Sequence, residues 1–340
     1  MKRIESVDAV RGFSVLWMIF FQIMDFFSRD HVMSVNFSRP SAFWLATLDY
    51  VNWLPPFLFV SGVSVWLMMK KRLSNSSKLE VWLHGAKRYG FYLLLSFLLC
   101  IWCFNLDTFL YLNEIIGAIA VYALIALTIS LIFYGREREI SLLLGGILCG
   151  VGLFLAGAFE GVLKYSIYRF YWTLPFFFFG LYSAAMIASK STRKLAIAGT
   201  AFLSLGMLTS LLLEQKISYS ERTFSFLLIN VGIVLFLFSF LSKMKPSKIS
   251  RFFALVGRYA LFFYLFHFAV FYKLTQTLNL FQTVSLMPTM LVTVAAIASM
   301  IGILEAHRRL DVLKTVKSYV RSGNQNLRRS YNNHQNSNTN

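Results

Sequence analysis

The sequence predicts an all-α fold, a polytopic bundle of about ten membrane-spanning helices with both termini in the cytoplasm. Hydrophobic residues make up 57% of the 340 residues, and the mean hydropathy is +0.61, which is far above the values of soluble globular chains. Ten apolar stretches are each close to the ~20 residues that cross a ~30 Å hydrocarbon core. These stretches are 10–28, 51–69, 88–106, 113–134, 140–160, 169–188, 194–213, 223–242, 257–275 and 283–304.

The basic residues predict how these spans are oriented. With the N-terminus inside, 26 of the 33 Lys and Arg residues fall on the cytoplasmic side and 7 on the outer side. This is the positive-inside pattern, and an even number of spans leaves both ends inside. The net charge of +18 therefore indicates attraction to anionic inner-leaflet lipid and argues against nucleic-acid binding. We expect a multi-pass protein of the plasma membrane whose partners include membrane lipids.

The loops between the spans are too short to fold as separate domains. We therefore predict one transmembrane domain over residues 1–305. A basic cytoplasmic tail follows over 306–340, and its Asn-, Ser- and Gln-rich end predicts that it is largely disordered. The first apolar run has no small-residue cleavage site after it, so we interpret it as a permanent span.

Polar residues inside the first span indicate a functional helix. Asp8, Arg11, Gln22 and Asp25 share one helix face by their spacing. Such residues within a membrane face a cavity or a partner and not lipid. The stripe is therefore either a surface for helix–helix hydrogen bonds or one wall of a substrate cavity. Asp8 and Arg11 lie at the inner interface and can pair.

The ninth span carries a second polar set, with Arg258 near its inner end and Tyr264 and His267 on one face farther along. Histidine titrates near neutral pH, so His267 is the best general acid–base candidate within the spans. The alternative is that His267 only forms a hydrogen bond inside the bundle.

Further polar residues gather toward the outer surface. Asp49 precedes the second span, Asn113 and Glu114 open the fourth, and His31 follows the first span. Together with Asp25 they predict an acceptor site on the outer side of the membrane.

Four segments resemble one known family in the same order. They are Arg3-x-x-Ser6-x-Asp8-x-x-Arg11-Gly12, the run from Pro55 to Ser64, the pair Lys87-Arg88, and the run from Gly257 through Arg258 and Tyr264 to His267. Together they are similar to the heparan-α-glucosaminide N-acetyltransferase catalytic-domain family of integral-membrane acyltransferases and its prokaryotic relatives.

The resemblance implies an acyltransferase that moves an acyl group, usually acetyl from acetyl-CoA, to a hydroxyl or amine of a sugar or glycan. It implies acetyl-CoA as co-substrate, and we predict no metal. We expect His267 or Asp25 as the base and Gln22 as an orienting or oxyanion-stabilising amide. The expected CoA-binding residues are Arg11, Lys87, Arg88 and Arg258, although basic residues at these positions also serve as simple interface anchors. The expected substrate-binding residues are Asp8, His31, Asp49, Asn113, Glu114 and Tyr264.

The chain also departs from the family pattern. The family has a histidine shortly before the Pro-Phe helix, where this chain has Ser41, Ala42 and Phe43, and the nearest histidine is His31. Gln22 stands where related acyltransferases have Asn or a catalytic His. Two other classes therefore stay open, which are a transporter or flippase of a small or lipid-linked solute and a catalytically inactive family member. A homo-oligomer is also left open.

Overall fold

The computed structural model describes residues 4–28, 54–104, 108, 115–158, 165–212, 224–243 and 247–310. The described residues are helical apart from turns, short connections and one isolated β-bridge between Ser28 and Val284. The helices are α1 (Glu5–Phe27), α2 (Leu54–Leu73), α3 (Lys78–Cys103), α4 (Ile115–Ile132), α5 (Glu137–Ala158), α6 (Tyr165–Ala188), α7 (Thr192–Leu212), α8 (Phe224–Lys243), α9 (Lys248–Arg258), α10 (Ala260–Phe266), a π-helical segment (His267–Tyr272), α11 (Lys273–Thr277) and α12 (Leu286–Leu310).

Each predicted apolar stretch coincides with one of these helices or, for 257–275, with the run from the end of α9 to α11. The all-α fold is therefore confirmed. Among the described residues, six helices are long and apolar enough to cross a membrane, and seven are when the bent pair formed by α9 and the following run counts as one span. The count of ten spans and the cytoplasmic position of both termini remain predictions.

Two helices that carry candidate site residues begin with capping boxes. At the start of α3 the Ser77 hydroxyl accepts from the Glu80 N–H at 3.3 Å, and the Glu80 carboxylate accepts from the Ser77 N–H at 2.8 Å. At the start of α9, Ser247 and Ser250 form the same reciprocal pair. These bonds satisfy backbone donors that the first turn leaves open, and they fix where each helix begins.

Helix α1 packs most extensively against α9, and a reciprocal pair of glycines forms the contact. A Cβ on Gly12 would clash with the backbone carbonyl of Phe253, and a Cβ on Gly257 would clash with the carbonyl of Asp8. Small residues let two helix backbones approach this closely inside a membrane. The two glycines therefore set the position of Arg11 and Arg258, which are their neighbours in the chain.

Helices α2 and α6 repeat this arrangement. A Cβ on Gly62 would clash with the carbonyl of Phe177, and a Cβ on Gly180 would clash with the carbonyl of Phe59. The two Pro-Phe segments of the sequence, which begin α2 and interrupt α6 at Pro175, thus lie on helices that pack directly together.

The last part of the run from α9 to α11 is irregular. Helix α9 is bent by 66° from the residues that follow, with the break at Tyr259. Eight residues after Tyr259 the chain enters the π-helical segment at His267. A π-helical turn is rare and occurs often at functional sites, because it changes the direction of the side chains it carries.

The chain divides into two compact units, Met1–Thr293 and Val294–Asn340. All candidate site residues discussed below belong to the first unit. In the second unit the described residues continue α12, where the Ser299 hydroxyl donates to the Ala296 carbonyl at 2.7 Å. The predicted domain boundary between residues 305 and 306 remains a prediction.

Candidate active site

An ion pair joins the first turns of α1 to the end of α9. The Arg11 Nη1 atom lies 2.9 Å from Asp8 Oδ1, and the Arg258 Nε atom lies 3.9 Å from the other Asp8 oxygen. The Asp8 side chain is 5% exposed, whereas that of Arg258 is 48% exposed. A buried carboxylate needs such cationic partners, because an unpaired charge away from water is costly.

The Arg11 guanidinium connects three helices. Its Nη2 atom donates to the Ser64 hydroxyl of α2 at 2.6 Å, and its Nη1 atom donates to the Gly257 carbonyl of α9 at 3.4 Å. Three of the four motif segments from the sequence analysis therefore meet at this one side chain. The planar guanidinium suits this role because its five N–H donors point in fixed directions.

A cavity of about 650 Å³ lies beside this junction, and we call it the basic cavity. Three residues of the junction line it, together with Lys71, Arg72, His84 and Arg88. The cations outnumber the single carboxylate of Asp8, so the cavity concentrates positive potential and attracts anions. Its lining is Ile4, Val7, Asp8, Arg11, Ser64, Leu67, Met68, Lys71, Arg72, Asn75, Ser76, His84 and Arg88.

A second cavity of about 220 Å³ shares Arg11, Ser64 and Arg88 with the first, and we call it the inner chamber. Its walls come from α1, α2, α3, α4, α6, α9 and α10. Along α2 the two cavities together extend from Arg72 to Phe57, which is about 22 Å at ~1.5 Å per residue. This length is most of a ~30 Å hydrocarbon core.

The charge in the inner chamber is confined to one end. Arg11, Arg88 and Arg258 all lie at the end that adjoins the basic cavity. Moving away from them along α2, α4 and α10, the lining is uncharged and ends at Phe57, Ile116 and Tyr264. The Ser61 hydroxyl, which also lines this part, donates to the Phe57 carbonyl at 2.8 Å.

His267 and Gln22 form a direct contact between α1 and the π-helical segment. The His267 Nε2 atom lies 2.7 Å from Gln22 Oε1, and its Nδ1 atom lies 3.1 Å from the Phe263 carbonyl. The histidine is completely buried. The ring of Tyr264, which lines the inner chamber, packs edge-on against the imidazole at a centroid distance of 5.3 Å. His267 lines neither of the two cavities.

The structure brings some predicted site residues together and leaves others apart. Asp8, Arg11, Arg88, Arg258 and Tyr264 line one or both cavities. Gln22 and His267 contact each other outside them. Asp25 is partly buried one turn after Gln22 on α1, and Lys87 is exposed and lines neither cavity. His31, Asp49, Asn113 and Glu114 lie outside the described residues.

Sequence reasoning missed several cavity residues. The sequence places Lys71 and Arg72 only in the positive-inside pattern, although Ser64, Met68 and Lys71 share a face of α2 by their spacing. That helical spacing could have indicated a lined wall. Tyr89, Tyr92 and His84 gave no comparable signal, because aromatic residues on an apolar helix are usual in any membrane protein.

The family described as heparan-alpha-glucosaminide N-acetyltransferase, catalytic, matches residues 3–172, which is half of the chain. The chain belongs to this family. The match includes Asp8, Arg11, Ser64 and Arg88, whereas Gly257 and His267 lie beyond it. No curated protein matches the chain.

Membership of this family, together with the apolar helices, makes the chain a membrane protein of an acetyltransferase-like family. Acetyl-CoA is the general donor of that family. In the part of the chain that the structure describes, no group of three His, Cys, Asp or Glu side chains could hold a metal ion.

Proposed function

We propose that this protein is a multi-pass acyltransferase of the plasma membrane, which moves an acetyl group from acetyl-CoA to a sugar or glycan acceptor. The observation that carries the proposal is the pair of adjoining cavities. The first is wide and basic, and the second is narrow and becomes apolar toward Tyr264, the neighbour of His267. A thioester donor with an anionic head and an uncharged arm has this same division of charge.

The residues of the basic cavity fit the anionic part of CoA. Arg11, Lys71, Arg72 and Arg88 surround a volume of about 650 Å³. Arginine binds phosphate oxygens with two parallel N–H donors, and such charge-assisted hydrogen bonds are stronger than neutral ones. These residues lie on the side predicted to be cytoplasmic, where acetyl-CoA is made available. The uncharged arm would then lead from the basic cavity toward the inner chamber, where the acyl group would lie.

Acyl transfer requires a base and a group that orients the base. An attacking hydroxyl or amine must lose its proton as it bonds to the thioester carbonyl carbon, and the CoA thiolate must leave and be protonated. We assign His267 as the base and Gln22 as the amide that orients it. Because His267 is buried behind Tyr264, turnover requires the Tyr264 ring or the Gln22 amide to move and admit the acceptor.

The hydrogen bonds of His267 support a role for the Gln22 amide. Both neighbours of the ring, the Phe263 carbonyl and Gln22 Oε1, are acceptors, but a neutral imidazole has only one N–H donor. Both bonds are satisfied when the ring carries two protons, or when the Gln22 amide rotates and donates its N–H to Nε2. A rotating amide can therefore accompany proton uptake and release by the histidine.

A second candidate is an inactive family member. The observation that favours it is the closed environment of His267. Both ring nitrogens lie within hydrogen-bond distance of protein oxygens, which are the Phe263 carbonyl and Gln22 Oε1. Under this alternative the protein binds CoA in the basic cavity but transfers nothing.

The test uses purified full-length protein in lipid nanodiscs, with radiolabelled acetyl-CoA and glucosamine in free or lipid-linked form. Transfer of label to the sugar, together with release of the CoA thiol in equal amount, supports the acyltransferase. CoA binding without transfer to either sugar supports the inactive member. Uptake or scrambling of the sugar in proteoliposomes without acetylation would contradict both of these functions and indicate a transporter.

A further inference from the structure

The apolar end of the inner chamber is formed by bulky, buried side chains. Phe57 of α2 and Ile116 and Ile119 of α4 line it, and each is less than 10% exposed. Ile116 and Ile119 are three residues apart, so their side chains face the chamber from the same side of α4. These residues line the chamber at the end opposite the arginines.

The chamber is also small. Its volume of about 220 Å³ corresponds to roughly seven water molecules at ~30 Å³ each. From Ser64 to Phe57 it extends about 10 Å along α2 at ~1.5 Å per residue. Close-packed side chains such as these move little to accommodate an oversized ligand, because overpacking a core is unfavourable.

We infer that Phe57, Ile116 and Ile119 set the length of the acyl group that the donor can carry, and that they restrict it to short chains. This inference rests on the proposed function, because it takes the inner chamber as the site of the acyl group. The proposed function does not say which residues distinguish acetyl from longer acyl groups, and this inference names them.

Helix α4 offers a matched pair of variants. Ile115 and Ile116 are adjacent, have the same side chain, and are almost equally buried at 4% and 5% exposed. Only Ile116 lines the inner chamber. Ile116→Ala and Ile115→Ala therefore remove the same atoms from the same turn, but only Ile116→Ala enlarges the chamber. Ile119→Ala is a second enlarging variant in case Ile116→Ala fails to fold.

The experiment measures binding of unreactive thioether analogues of acetyl-CoA, propionyl-CoA and butyryl-CoA to the full-length protein in nanodiscs. One added methylene in a hydrophobic pocket typically changes discrimination by roughly 10–200-fold. We therefore expect the wild-type protein to bind the butyryl analogue at least about 10-fold more weakly than the acetyl analogue. Ile116→Ala or Ile119→Ala reduces this ratio, and Ile115→Ala leaves it unchanged.

Two outcomes would overturn the inference. In the first, wild-type protein binds all three analogues equally. In the second, Ile115→Ala and the two enlarging variants have the same ratio of dissociation constants. Neither result touches the proposed function as long as CoA itself binds and acetyl transfer occurs. Failure of CoA and every analogue to bind would instead remove the proposed donor, and with it this inference.

Discussion

Two polar contacts of α1, at Arg11 and at Gln22, differ in charge and in exposure. At one end Arg11 faces the 650 Å³ basic cavity and has charged and neutral partners on three helices. About 16 Å farther along at ~1.5 Å per residue, Gln22 meets His267 in a closed contact between an amide and an imidazole. One helix thus carries both an open, charged region and a sealed one.

The difference indicates a division of roles. An open cavity with an excess of cations is suited to binding an anion from solution, because its potential acts over a distance. A sealed histidine and amide cannot attract a ligand in that way, but their geometry is fixed by packing, which suits proton transfer. Substitutions in the first region should therefore change donor affinity, and substitutions in the second should change turnover.

The largest effect is expected at the sealed contact. His267→Ala removes the proposed base, so acetyl transfer should fall by about 10²–10⁴-fold. Donor affinity should not change, since His267 lines neither cavity. Radiolabel transfer gives the first quantity and calorimetric binding of acetyl-CoA gives the second. Equal loss of both would contradict the separation of the two regions, and full activity would remove His267 as the base.

A smaller effect tests whether both regions depend on the close approach of α1 to α9. Gly257→Ala places a methyl group against the Asp8 carbonyl and should displace α1 from α9. Overpacking of this kind typically costs about 1–3 kcal/mol. We expect a lower melting temperature together with weaker donor binding and slower transfer, because α1 carries both Arg11 and Gln22.

Gly90→Ala is the matched control for this variant. Gly90 lies within α3, and nothing lies within 4 Å of the Cβ that the substitution adds. Alanine is a better helix former than glycine by up to about 1 kcal/mol, so Gly90→Ala should be neutral or stabilising. If both alanine variants have the same melting temperature, the close approach of α1 and α9 does not limit stability.

The fold and the open region were largely predictable from the sequence. Apolar length and helical spacing are local properties, so the ten stretches coincide with helices and the stripe on α1 contains residues that do face polar partners. The pairing of Asp8 with Arg11 follows from their spacing on one helix. Gly12 and Gly257 were noted only as motif positions, since their contact joins residues far apart in the chain.

The sealed region was predicted only in part. The sequence indicates Gln22 and His267 each as a polar residue within an apolar stretch, but their 2.7 Å contact depends on tertiary packing. The bend at Tyr259 and the π-helical segment have no signal in the sequence, because no proline lies at either place to mark it. Lys87 and Arg88 look equivalent in sequence, yet only Arg88 lines the cavities.

Arg88 and Lys87 form a matched pair for testing donor binding in the open region. Arg88→Gln should weaken acetyl-CoA binding by about 10-fold, equivalent to about 1.4 kcal/mol, through loss of a charge-assisted hydrogen bond. Lys87→Gln should leave binding nearly unchanged. The difference should shrink at high salt, which screens exposed charges. Equal losses in the two variants would mean that net charge near the membrane, and not the cavity, binds the donor.

A third ion pair resembles that of Asp8 and Arg11 but lies away from both cavities. Lys70 Nζ lies 2.6 Å from Glu137 Oε1, and the backbone N–H of Gly135 donates to Glu137 Oε2 at 2.6 Å. Glu137 is buried and precedes the apolar stretch 140–160. Burial alone would raise the pKa of Glu137, but the hydrogen bonds from Lys70 and Gly135 hold it below its ordinary value of 4.5.

A carboxyl group whose pKa is lower in the folded state stabilises the fold above its unfolded pKa, and this contribution is lost as the pH falls through the folded value. The wild-type melting temperature should therefore fall as the pH drops below about 4.5, and Glu137→Gln should lose part of that dependence while binding acetyl-CoA normally at neutral pH. Glu139→Gln, at an exposed position two residues along, is the matched control and should keep the wild-type change of melting temperature with pH. If Glu137→Gln instead weakens donor binding at neutral pH, an ion pair outside the cavities controls the open region, and the division between binding and structure fails there.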